Sequence, residues 1–80
     1  MNDTKILSAI KALHERFVEE PTDGGAWHIM DFIERSEMDM EPPMANNLKR
    51  YYSQISCAFY DHYSPKSIAH LNEVAKECLG

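Results

Sequence analysis

Cysteine is scarce in this chain, and long apolar runs are missing altogether. Cys57 and Cys78 are the only two cysteines. They cannot build a disulfide scaffold and lack the C-x-x-C spacing of a structural zinc site, so both are expected as reduced thiols. No apolar stretch nears the roughly 18 residues that a membrane span needs. The opening MNDTKILSAIKALHERF places Lys5, Lys11, His14, Glu15 and Arg16 where a signal peptide requires an uninterrupted apolar core. A cytoplasmic protein without membrane contact is the expectation. Sustained alternation of period two is also missing, which argues against strands, and no repeat or low-complexity tract is visible.

The motifs of metal and nucleophile chemistry are missing too. A carboxylate-bridged di-iron bundle needs Glu-x-x-His on two helices, and here only the reversed His70-x-x-Glu73 occurs, once. The HExxH zinc pair is absent. Asp61 and His62 are adjacent, so on a helix they point in different directions and the acid cannot orient the imidazole. Cys78 falls in an apolar stripe where a thiol is inert. Gly24-Gly25 is a two-residue turn without the lysine and spacing of a phosphate loop. The expectation is therefore no catalytic residue, no cofactor and no metal, with an enzyme or metal carrier as the least favoured reading.

What is present is helical periodicity, with apolar residues three and four apart, broken where Pro and Gly cluster. It predicts a single all-α domain spanning residues 1 to 80, a compact bundle of about four helices at roughly 4–20, 25–37, 43–63 and 65–79. The first helix carries a wide stripe centred on Ile6, Ile10, Leu13 and Phe17, flanked by Leu7, His14 and Val18, and so packs against two neighbours. Pro21-Thr22-Asp23-Gly24-Gly25 reads as a turn with Thr22 or Asp23 as cap. In the second helix Ala26, Ile29, Met30 and Ile33 form the core face, with Phe32 and Trp27 to either side of it. The third helix, opened by Pro42-Pro43, has its stripe at Met44, Leu48, Tyr51, Tyr52, Ile55, Phe59 and His62, while Cys57 and Tyr60 project toward the polar side. Ser64-Pro65 caps and opens the fourth helix, with Ile68, Leu71, Val74, Ala75, Cys78 and Leu79 inward. His14 and His62, on or beside apolar stripes, are expected as packed histidines.

Charge is uneven. The net charge is −5, yet residues 15 to 41 alone hold nine acids against Arg16 and Arg35, a net of −7. Such a field repels phosphate backbones and attracts basic partners, so direct nucleic-acid binding is not expected. Large apolar residues lie among these acids. Trp27, Asp31, Glu34, Glu37, Met38, Asp39, Met40 and Glu41 together form the candidate protein-binding surface, adaptable anchors with a charged rim. Cys57 and Tyr60 form a smaller second patch. The function these features favour is a small acidic regulator or inhibitor of the kind found on phage and mobile elements. It binds stoichiometrically to the basic surface of a nucleic-acid-handling protein. Eighty residues sit near the size at which one core barely suffices, so a homodimer or other homo-oligomeric adaptor is the alternative.

Overall fold

The computed structural model describes residues 3–36 and 40–80. It contains four helices, α1 (Asp3–Glu19), α2 (Asp23–Ser36), α3 (Pro42–Tyr60) and α4 (Pro65–Leu79), and no strand among the described residues. Each helix packs against its neighbour in sequence, and α4 closes back on α1. The bundle measures 34 × 21 × 18 Å. No helix is long and apolar enough to cross a membrane among the described residues.

The helix ends follow from local chemistry. Thr22 caps α2, its Oγ1 accepting from Gly25 N–H at 3.0 Å and its carbonyl from Ala26 N–H at 3.0 Å. The helix thus begins two residues earlier than the sequence suggests. Gly25 is fixed by close approach, since a Cβ there would meet Phe17 Cδ1 at 3.1 Å and Thr22 Oγ1 at 3.2 Å. Glu41 precedes α3 in extended conformation, and Pro42 occupies the first turn, where a missing N–H costs nothing. Ser64 caps α4 through Ser67 N–H at 3.2 Å.

The end of α3 corrects the sequence reading. The helix stops at Tyr60, not Tyr63, and His62 and Tyr63 are both left-handed, with φ of 54° and 56°. Tyr63 N–H bonds to Ala58 O at 2.8 Å and His62 N–H to Phe59 O at 3.2 Å. This is the paired closure of a Schellman motif with histidine where glycine is usual. Left-handed backbone costs a non-glycine residue on the order of 1 kcal/mol. Packing of the Tyr63 ring edge-on to Phe17 (5.6 Å) and Phe59 (6.3 Å), with its hydroxyl donating to Asp23 Oδ1 at 2.6 Å, offsets that cost. His62 is consequently exposed and not a packed histidine. Asp61 in the same turn accepts from the hydroxyls of both Ser64 and Ser67, which hold its carboxyl below the usual carboxylate range.

The core comprises Ile6, Ile10 and Phe17 of α1, Ala26, Ile29, Met30 and Ile33 of α2, Leu48, Tyr51, Ile55 and Ala58 of α3, and Leu71, Val74, Ala75, Cys78 and Leu79 of α4. Leu13 and Phe59, expected at stripe centres, are half-buried and pack against this core from its edge. The α1 position that faces fully inward beside Ile10 is His14, only 6% exposed. Both its ring nitrogens are bonded, Nδ1 to the Tyr51 hydroxyl and Nε2 to Asn72 Oδ1, each at 2.8 Å. Asn72 offers a carbonyl oxygen, so Nε2 carries the proton and Nδ1 accepts from Tyr51 O–H. One imidazole thereby joins α1, α3 and α4.

Protonation of His14 would turn Nδ1 into a donor and strip the fully buried Tyr51 hydroxyl of its acceptor. Burial already holds the imidazole below its ordinary value of 6.5, against weaker opposing effects of Asn72 and Glu15. The unfolded chain therefore binds this proton at higher pH than the folded one does. The stability it confers is complete above pH 6.5 and falls as pH drops from there through the folded-state value. We expect an NMR titration to place the His14 midpoint below 6.5, and His14→Gln to reduce the acid-side loss of stability in urea unfolding. A midpoint above 6.5 would contradict the assigned hydrogen bonds.

Candidate functional site

Helix α2 is apolar on more than one side, and the bundle covers its inward face and packs Phe32 but leaves the Trp27 side open. Ala26, Ile29, Met30 and Ile33 are buried, whereas Trp27 is left 58% exposed. On α3, Tyr60 is 79% exposed. These are the exposed large hydrophobic residues among the described ones, and they lie together. Phe59 stands between them, 5.9 Å from the Trp27 ring at 71° and 5.4 Å from the Tyr60 ring at 81°. The patch expected around Trp27 and the smaller one expected around Tyr60 are therefore one surface.

At its centre is a recess of about 120 Å3 lined by Trp27 and Met30 of α2 and by Tyr52, Ser56, Phe59 and Tyr60 of α3. Ser56 Oγ donates to Met30 Sδ at 3.4 Å, fixing the floor. Trp27 and Met30 are three apart, and Tyr52, Ser56 and Phe59 follow at four and three, so each helix contributes one face. Tyr52, Phe59 and Met30, expected in the core stripes, and Ser56, to which no role was assigned, are the residues that sequence reasoning missed here. Their helical spacing was legible. That two such faces meet in a hollow depends on how the helices cross.

The acids expected beside the anchors fall into several groups. Glu34 is exposed, accepts from Tyr52 O–H at 2.8 Å, and lines a neighbouring hollow with Ile33, Lys49 and Ser53 that shares Tyr52 with the recess. Asp31 is exposed and paired with Arg35 at 3.0 Å. Glu41 is exposed at the start of α3, where its carbonyl receives Ala45 N–H at 2.9 Å. Met40 is half-buried and packs against the core. Glu37, Met38 and Asp39 lie outside the described residues. Cys57 is an exposed free thiol on α3. Cys78 is buried, and burial pushes its thiol up despite the Arg50 guanidinium nearby.

Other concavities are differently built. A wider hollow of about 480 Å3 between α1 and α2 carries Arg16, Glu19, Glu20 and His28, charges of both signs. The α1–α4 groove over His14 is bordered by Lys11, Val18, Lys76 and Leu79. Among the described residues, every fully buried side-chain nitrogen and oxygen has a hydrogen-bond partner, and no three His, Cys, Asp or Glu side chains converge as a metal ion requires. Comparison with protein-family models, with curated proteins and with solved structures gave no match to this chain.

Because Trp27 is the chain's only tryptophan, its emission reports on this surface alone. We expect the red-shifted emission of a wet indole, readily quenched by acrylamide. Trp27→Ala should cost no more than about 1.5 kcal/mol, the scale of one aromatic pair, against roughly 2–5 kcal/mol for Ile33→Ala in the core. Equal destabilisation by the two substitutions would show that the indole belongs to the core.

Proposed function

We propose that the chain is a protein-binding module. It acts by stoichiometric attachment of its α2–α3 face to a basic surface, the target being a nucleic-acid-handling protein of the cytoplasm. The observation that carries this reading is the convergence of Trp27 and Tyr60, 58% and 79% exposed, around one recess. A monomer gains little stability from leaving an indole and a phenol this far exposed to water, and exposed aromatic patches with a polar rim are typical of interfaces. Aromatic anchors of this kind supply a large share of binding energy in protein complexes. Charge supports the choice of partner. The stretch from residue 15 to 41 carries a net −7, which raises the encounter rate with a cationic surface and opposes nucleic acid itself. The exposed Cys57 and buried Cys78, both free thiols, suit a reducing compartment.

Two variant sets test the proposal against a partner recovered from the native host. Charge reversal at Asp31 and Glu41 should slow association and flatten its dependence on salt, with dissociation little changed. Trp27→Ala or Tyr60→Ala should leave association near the parent rate and speed dissociation roughly ten-fold or more, the scale of an interface hot spot. Normal kinetics in both sets would remove this face from consideration. A mass that doubles with concentration and returns to the monomer on Trp27→Ala would instead assign the face to self-association.

A further inference from the structure

The chemistry of the recess identifies what enters it. The geometry points to a receptor for one cationic side chain, an arginine projecting from the basic partner, held by cation–π contact and by Glu34. This inference rests on the protein-binding reading above and adds the identity of the group recognised.

Four of the six lining residues, Trp27, Tyr52, Phe59 and Tyr60, are aromatic, and none of the six carries a charge. Phe59 meets both Trp27 and Tyr60 edge-on. The two exposed rings thus each make a near-perpendicular contact with Phe59. An aromatic face carries the negative lobe of the ring quadrupole, so a hollow walled by several such rings favours a cation. A bare aliphatic side chain would leave that electrostatic preference unused.

Size and polarity agree. The recess of about 120 Å3 is well below the roughly 300 Å3 at which pockets for small molecules begin, so it suits the head of a single side chain. The guanidinium is planar, stacks on aromatic rings and is more weakly hydrated than an ammonium, so it surrenders its water at lower cost. One carboxylate stands next to the recess. Glu34 accepts through Oε2 from the hydroxyl of Tyr52, a residue of the recess lining, and faces a neighbouring hollow that also holds Lys49. Asp31 plays a lesser part because Arg35 already occupies it. The net charge of −7 on residues 15 to 41 adds a general attraction for a cationic partner.

The test uses the full chain, labelled with 15N, and three short neutral peptides identical except for a central arginine, lysine or norleucine. The arginine peptide should shift the single indole N–H resonance saturably, the lysine peptide more weakly, and the norleucine peptide least. Tyr60→Leu should raise the dissociation constant of the arginine peptide about two- to five-fold, as expected for loss of one exposed cation–π contact, and Tyr60→Phe should retain the parent value. Glu34→Gln should weaken the arginine peptide and leave the norleucine peptide unchanged. A norleucine peptide that binds as tightly as the arginine one overturns the assignment while leaving the interface standing as an apolar anchor. Partner kinetics indifferent to Trp27→Ala, with arginine still bound, would overturn the interface and leave the recess as a cation receptor.

Discussion

The bundle is organised around one buried imidazole. His14 sits in the C-terminal half of α1 and is hydrogen-bonded on one nitrogen to Tyr51 of α3 and on the other to Asn72 of α4. A buried polar group left unsatisfied costs on the order of 1–3 kcal/mol, so the three helices are held in the one arrangement that satisfies all three side chains. Apolar contacts tolerate sliding, whereas this set does not. In a chain of 80 residues, where area alone leaves little margin, such a constraint selects one packing among several of similar burial. Tyr51 is fully buried and edge-on to His14, with ring centroids 5.5 Å apart.

Helix α2 has no part in the His14 tie. It is held by its own inward face, by the Thr22 cap at its start, and by the bond from Tyr63 to Asp23. With α1, α3 and α4 fixed to one another, α2 lies against them and presents its second apolar side outward. The left-handed turn after α3 contributes to the same result. Ending the helix at Tyr60 brings Tyr63 back over Phe17 and Phe59, and Phe59 in turn supports Trp27 and Tyr60. Backbone strain at His62 and Tyr63 is thus linked through three ring contacts to the geometry of the recess.

Much of the architecture was legible because helix formation is a matter of short-range pattern. The capping of α2 by Thr22 and of α4 by Ser64, the proline at the start of α3 and α4, and the inward residues of α2 and α4 all follow from spacing and cap chemistry. The end of α3 was not legible. His62 and Tyr63 continue the apolar period, and only the bonds from their amides to Phe59 and Ala58 show that the chain has turned. Leu13 and Phe59 are at the edge of the core because a helical wheel gives direction without depth. The candidate site was legible in its exposed members, Trp27, Tyr60, Cys57, Asp31 and Glu34. Its union was not, since Trp27 and Tyr60 are brought together by the crossing of α2 and α3 and by Phe59 between them.

We propose the α2–α3 face as the surface through which this protein acts. The most direct measurement is chemical-shift mapping of the labelled chain in complex with a partner from its host. Perturbations centred on the Trp27 indole and on Met30, Glu34, Tyr52, Ser56 and Tyr60, with the His14 region unchanged, are the result expected. Perturbations confined to the α1–α4 groove at Lys11, Val18, Lys76 and Leu79 would contradict it.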